Sequence, residues 1–229
     1  MRDPLEQNYS RLSTEVREAA EKAGRNPATV KLLAVSKKVP AERLRILWGL
    51  GHRLFGENRV QEARVKIPEM PAGGEWHFIG GLQTNKAKEA VEWFDVVESV
   101  DRLELAAELQ KRAELAGKNL KVLLEINVGD EAAKHGAKPA EAQALFQSLN
   151  AMSRLEVGGL MAIPPFREEP EKARPFFRKL REIRDQLEES SGAALPELSM
   201  GMSHDFPVAI AEGATLVRIG TALFGSRPG

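Results

Sequence analysis

Short apolar segments alternate with amphipathic helical segments eight times along this chain, and no other feature restricts the fold so sharply. Apolar runs occupy 32–37, 54–57, 76–80, 95–100, 121–127, 157–163, 198–200 and 216–220. Each is short and lacks a 3.6-residue period, so each reads as a strand buried on both faces. Helical segments fill the gaps at 40–50, 60–66, 86–92, 101–117 and from Pro139 to Met152. A long helix then carries Phe176, Phe177, Leu180, Ile183 and Leu187, with Pro175 near its start. Asp101 with Glu104 predicts a capping box. Ser203 is expected to cap a short helix that Gly213 ends. One extra helix comes first: Leu5, Tyr9, Leu12, Val16, Ala19 and Ala23 recur at spacings of three and four, between Asp3-Pro4 and Gly24. Eight strand–helix units predict an α/β fold, a single-domain (β/α)8 TIM barrel over 1–229 with an extra N-terminal helix. An open doubly wound sheet is the alternative. No Gly-x-Gly-x-x-Gly follows the first strand, which weakens a dinucleotide site.

Lys plus Arg and Asp plus Glu number 33 each, so no global charge points to nucleic acid or to a membrane surface. There is no cysteine, which excludes disulfides, thiolate metal sites and a cysteine nucleophile. No apolar run approaches the ~20 residues that span a bilayer. The first 23 residues are charged throughout and have no signal-peptide core, so a cytoplasmic protein is expected.

In a barrel, the polar residues at the carboxyl ends of the strands converge on one mouth. Here they are Lys37, Glu57-Asn58, His77 to Gly80, Asn127, Met161, Gly201 to Ser203, and Arg218 with Gly220-Thr221. Lys37 ends the run Leu32-Leu33-Ala34-Val35-Ser36 and by alternation shares a face with Val35 and Leu33. It is either a functional amine or a lysine that snorkels out beside Lys38. Ser203 and Gly220-Thr221 lie in the loops after strands seven and eight, where barrels commonly hold phosphate. Taken singly, Ser203 reads as an ordinary helix cap and Gly220 as an ordinary tight turn. Arg218 faces the interior by alternation and needs an acceptor, either a carboxylate such as Glu125 or a ligand atom. His52 and His135 read as surface residues. His77 is either a satisfied core histidine or a site residue, and His204 either a cap neighbour or a site residue. The four histidines show no zinc spacing, so no metal is expected. A lysine across the mouth from a phosphate cup suits a phosphorylated aldehyde held as a Schiff base, provided burial lowers the amine pKa from ~10.4. Pyridoxal 5′-phosphate and a phosphosugar are the two candidates.

Several motifs are longer than these single positions. They are Ala34-Val35-Ser36-Lys37, Phe55-Gly56-Glu57-Asn58 with Val60-Gln61-Glu62, and Trp76-His77-Phe78-Ile79-Gly80 with Leu82-Gln83 and Asn85-Lys86. Further on come Gly159-Leu160-Met161-Ala162, Ser199-Met200-Gly201-Met202-Ser203 with Asp205, and Val217-Arg218-Ile219-Gly220 with Phe224-Gly225. In this order they resemble the pyridoxal phosphate homeostasis protein family, related to the N-terminal barrel of alanine racemase, from about Lys31 to Gly225. The resemblance implies pyridoxal 5′-phosphate as cofactor, joined to Lys37 as a Schiff base. It implies a phosphate cup from Ser203, Gly220 and Thr221, with Arg218 facing the pyridine nitrogen. Asn58, His77 and Met161 would complete the cofactor-binding set. It further implies a carrier or buffer of the cofactor with no catalytic residue, acting as a monomer toward pyridoxal-phosphate-dependent apoenzymes. Arg59 departs from the family, which often has an aromatic there, and puts only local packing in doubt.

A pyridoxal-phosphate-dependent racemase is the alternative. Racemisation needs an acid/base on each face of the ring. The racemases that resemble this barrel take their second base from a tyrosine in a further domain. This sequence has one tyrosine, Tyr9 in the first helix, so a non-enzymatic role is expected.

Overall fold

The computed structural model describes residues 3–131 and 135–225. Eight parallel strands close on themselves in sequence order. They are β1 (Lys31–Val35), β2 (Leu54–Glu57), β3 (Glu75–Phe78), β4 (Val96–Val100), β5 (Leu120–Glu125), β6 (Leu155–Met161), β7 (Glu197–Met202) and β8 (Leu216–Ile219). Closure comes from β1 against β8, with Ala34 opposite Ile219. The expected α/β barrel is therefore present, and the open sheet is ruled out.

Strand alternation separates two layers. Leu33 and Val35 point inward and meet Leu54, Ile79 and Leu216; Val96, Leu123 and Met161 form a second interior group. Their neighbours Ala34, Phe55, Trp76, Phe78, Val97, Val122, Leu160 and Val217 point outward into one continuous apolar core beneath the helices. Phe55, Phe78, Phe94, Phe146 and Phe177 are fully buried there. Each such side chain contributes roughly 1.5–3 kcal/mol by leaving water.

The helices are α1 (Pro4–Lys22), α2 (Ala41–Gly49), α3 (Val60–Lys66), α4 (Ala87–Trp93), α5 (Leu103–Leu115), α6 (Ala142–Asn150), α7 (Arg174–Ser191), α8 (Phe206–Ala211) and α9 (Thr221–Phe224). Pro175 falls in the first turn of α7, where a missing N–H costs nothing. The extra helix α1 buries Leu5, Leu12, Val16 and Ala20. Just after it, Arg25 donates to the carbonyls of Ile210 and Ala214, and Asn8 within it donates to that of Leu223. Helix α1 thus buttresses the elements that follow β7 and β8.

Four local expectations are corrected. The first strand stops at Val35, two residues before the lysine. The Asp101–Glu104 capping box does not form: α5 has Arg102 at its N-cap, and the Asp101 carboxylate takes Arg102 and the Gly136 N–H. Asp205 rather than Ser203 is the N-cap of α8. His52 is buried, with Nε2 at 2.6 Å from the Leu54 carbonyl oxygen. Among the described residues, no helix is long and apolar enough to cross a membrane.

Candidate functional site

Lys37 occupies a tight turn. The Val39 N–H donates to the Ser36 carbonyl at 2.9 Å, which leaves Lys37 and Lys38 at the two central positions. Lys38 has φ +59°, the positive value a type II turn demands at its third residue, and it meets that demand without glycine. The turn is held from outside the barrel. Ser36 Oγ donates to Glu57 Oε1 at 2.7 Å, and the Lys38 N–H donates to Glu62 Oε2 at 2.6 Å. Lys66 reaches in from α3 to the Ser36 carbonyl and to Glu57. Lys37 itself is half-buried.

Two further loops join this turn. Because β1 pairs with β8, Gly220 abuts Val35: a Cβ added at Gly220 would lie 3.5 Å from the Val35 Cβ. From the other side, Ser203 Oγ accepts the Ala222 N–H at 3.4 Å, tying the β7–α8 loop to the first turn of α9. That loop is set by Asp205, whose Oδ1 accepts the Met202 N–H at 2.7 Å. Gly201 is obligatory beneath it, since its φ is +90° and a Cβ would meet the Ala209 methyl at 2.5 Å. The sequence-predicted Lys37, Ser203, Gly220 and Thr221 therefore share one sector of the mouth.

Arg218 faces inward, as expected, and is 4 % exposed. It donates to the Ser199 carbonyl and hydroxyl and to the Ala162 carbonyl, with Glu98 Oε2 at 3.9 Å. Burial lowers its pKa from the ordinary arginine value, against the attraction of Glu98, Glu125 and Asp205. Its direct partners are thus Ser199 and Ala162, while Glu125 acts only through charge.

His77 lies inside the barrel, with both ring nitrogens on carboxylates: Nδ1 at 2.6 Å from Glu98 and Nε2 at 3.0 Å from Glu75. Burial pulls its pKa down, but the hydrogen bonds from Glu75 and Glu98 outweigh this and push it up to about 9. Ser199 Oγ donates to the other Glu98 oxygen. A continuous polar chain therefore runs from exposed Glu75 at the barrel rim through His77, Glu98 and Ser199 to Arg218 in the interior. Met161 is fully buried beside Val96 and Leu123 in the same interior. Asn58 is half-buried beyond β2, with its backbone against Gly80, where a Cβ would meet the Asn58 carbonyl at 2.4 Å. Glu125 ends β5, opposite β1 in the ring. Burial, reinforced by Asp101, pushes its carboxyl up to about 7.

His204 is exposed and contacts the Glu168 carbonyl, while His135 is exposed near Asp101. No group of metal-binding side chains occurs among the described residues. Sequence reasoning passed over Glu98, Ser199 and Lys66, and it expected Glu57 at the mouth, whereas alternation along β2 turns Glu57 outward onto Ser36 and Lys66. The signal for Glu98 was present, because it is a charge in the middle of the apolar run Val96-Val97-Glu98-Ser99-Val100. A cleft of about 580 Å³ between α2 and α3 lies outside the barrel wall and adjoins the site through Lys38, Val39, Glu62 and Lys66.

A closed parallel barrel whose first strand delivers a lysine, and whose last two deliver hydroxyls and backbone N–H groups, belongs to the class of the alanine racemase N-terminal domain. The family model of that description matches residues 5–228. A pyridoxal phosphate homeostasis protein from Aquifex aeolicus is 49 % identical over 222 residues, covering 96 % of this chain and 97 % of the relative. One from Pseudomonas aeruginosa is 43 % identical, covering 97 % and 96 %. The solved structure of PipY from Synechococcus elongatus, with PLP bound, superposes with a TM-score of 0.80 at 38 % identity, covering 92 % of this chain and all of that one. The chain belongs to the pyridoxal phosphate homeostasis protein family.

Proposed function

We propose that this chain binds pyridoxal 5′-phosphate and acts in intracellular cofactor homeostasis, as a carrier or buffer without significant turnover. The observation that carries the reading is the junction of the Lys37 turn, the Ser203 loop and the Gly220-Thr221 turn in one sector of the mouth. Its donor set is an amine beside hydroxyls and backbone N–H groups, which matches an aldehyde and a phosphate on one small molecule. The PLP-bound state of PipY supports the same reading.

Bound there, the cofactor supplies an aldehyde that an amine can capture covalently. Lys37 is the amine, presented by a turn whose backbone is fixed on both sides. Ser203, Gly220 and Thr221 take the phosphate. Arg218, held by Ser199 and Ala162, would meet the ring nitrogen as a cation and disfavour a proton there, which would weaken carbanion chemistry. Asn58 lines the ring edge. Met161 and His77 form the floor, where His77 acts through Glu98 on the Arg218 network. Tyr9 packs edge-on against His52 outside the barrel, so it is no base at the mouth. One domain over 1–229, a monomeric cytoplasmic protein, and delivery to pyridoxal-phosphate-dependent apoenzymes complete the proposal.

The test is the absorption spectrum of the purified protein before and after borohydride, followed by peptide mapping. The pyridoxyl group is expected on Lys37; finding it mainly on Lys38 or Lys86 rejects the site. Incubation with L-alanine in heavy water separates carrier from racemase. Cα deuterium or D-isomer formed well above the rate with free cofactor makes the protein an enzyme.

A further inference from the structure

A cluster of three charged side chains, Glu57, Glu62 and Lys66, is unused by this reading. Glu57 points outward from β2, away from the mouth, and is fully buried. Its Oε1 takes both Ser36 Oγ and Lys66 Nζ. Lys66 lies at the end of α3 with its side chain only 8 % exposed. Besides Glu57 it donates to the Ser36 carbonyl at 2.7 Å, and Glu62 Oε2 lies 3.8 Å away, one helical turn earlier on α3. The same Glu62 oxygen accepts the Lys38 N–H. Three charged side chains from β2 and α3 thus hold the two residues that flank Lys37 in sequence, and none of them points into the barrel.

A buried lysine–carboxylate pair costs several kcal/mol of desolvation per ion and is seldom the cheapest way to stabilise a fold. Here it is spent on a turn that is itself unfavourable. A non-glycine residue at φ +59° persists only where its surroundings impose it. We propose that Lys66, held between Glu57 and Glu62, is a positioning residue that fixes the Ser36–Val39 turn and so aims the Lys37 amine. The clamp acts on the backbone on each side of Lys37. A rigid turn restricts the amine to a narrow arc at the mouth, while a loosened turn leaves the phosphate cup untouched and lets the amine wander. This deepens the reading that Lys37 captures the cofactor.

The experiment uses the full chain as Lys66→Met and, since that variant strands a buried carboxylate, also as the milder Glu62→Gln. The first readout needs no cofactor: amide hydrogen exchange by NMR at Lys38 and Val39, with Val122 and Leu124 of β5 as internal controls. Lost charge-assisted hydrogen bonds should speed exchange at the two turn amides by about tenfold or more, with the β5 amides unchanged. The second readout is binding. Affinity for pyridoxal 5′-phosphate and for unphosphorylated pyridoxal should fall by the same factor, while inhibition by inorganic phosphate stays as in the parent. Unchanged turn amides in both variants, or β5 amides accelerated in proportion, overturn the proposal and leave the pair a plain stability element. A parent protein that captures no pyridoxal 5′-phosphate at Lys37 overturns the functional reading instead, and the exchange result stands or falls apart from it.

Discussion

The two faces of the barrel wall are built on opposite principles. The outer face presents Ala34, Phe55, Trp76, Phe78, Val97, Val122, Leu160 and Val217 to the helices and is almost entirely apolar. The inner face carries His77, Glu98, Glu125, Ser199 and Arg218 between two small apolar groups, with exposed Glu75 at its lower rim. Apolar burial is non-directional, so the outer layer needs only volume and complementarity. Buried charges survive only in fixed pairings, so each inner residue depends on the next. Holding the fold together and preparing the mouth are therefore largely separate tasks, given to alternate residues of the same strands. The Glu57–Lys66 pair is the exception, a charged cluster on the outer side that serves the mouth.

The largest test strikes the outer face. Phe55→Ala removes a fully buried ring packed on Trp76 and His52 and should cost about 3–5 kcal/mol in denaturant unfolding. The fraction that stays folded should bind cofactor as tightly as the parent. A matching loss of affinity would break the separation of the two faces.

The next concerns the inner face and pH. His77 is raised from 6.5 to about 9 in the folded protein, so protonation favours folding. Its contribution is complete below pH 6.5 and is lost as pH climbs through 9, by up to about 3 kcal/mol. Glu125, raised from 4.5 to about 7, acts with the same sign over that lower window, because its neutral form is the one the fold prefers. Buried His52, lowered from 6.5, opposes this trend at the acid end, so the thermal melts should fall most clearly from pH 7 to 9. His77→Gln should flatten the part above 6.5, and an already flat parent profile there would mean that the Glu75–His77–Glu98 chain does not carry charge.

A smaller effect is expected at the junction of the two faces. Gly220 has a negative φ, and a Cβ there meets only ordinary contacts with Val35, so Gly220→Ala should leave stability within about 0.5 kcal/mol. Titration should show the 5′-phosphate form bound about tenfold more weakly and pyridoxal unchanged, because the added methyl crowds the approach of a phosphate to the backbone N–H groups of this turn. Equal losses for both ligands would move the phosphate cup elsewhere. The smallest effect is at Lys38. Lys38→Gly relieves the positive φ and should raise stability by about 0.5 kcal/mol, after glycine's own entropy cost is deducted. A loss of stability would show that the lysine side chain, not the turn geometry, matters there.

The fold was legible because strands buried on both faces leave apolar runs that no amphipathic helix produces. The order of those runs then left few topologies. Lys37, Ser203, Gly220 and Arg218 were legible because strand ends are countable once strands are placed. Caps were not. Asp101 looks like a capping residue from its spacing to Glu104, yet Gly136 and Arg102 compete for its carboxylate across the mouth. Asp205 rather than Ser203 stands at the N-cap, and its side chain accepts the Met202 N–H instead of a helix N–H, a pairing that spacing alone does not show. Lys66 was illegible for another reason. With Glu62 four residues earlier, it has the pattern of a solvated helix pair, and only the packing of α3 against β2 buries it. His52 was misread as a surface residue because its one acceptor is a backbone carbonyl, which leaves no mark in the sequence.

Closure of the barrel by β1 on β8 has a consequence for biosynthesis. Ala34 and Ile219 are neighbours in space but lie near opposite ends of the described chain. Contacts of such long sequence separation form late and slowly, since loop entropy must be lost before they are made. At ~5–20 residues per second, Lys37 leaves the ribosome on the order of ten seconds or more before Gly220 exists. A nascent chain therefore holds the lysine without its phosphate partner. With the proposed site, cofactor capture becomes possible only when β8 docks, so retention of the ligand would report that β8 has closed on β1.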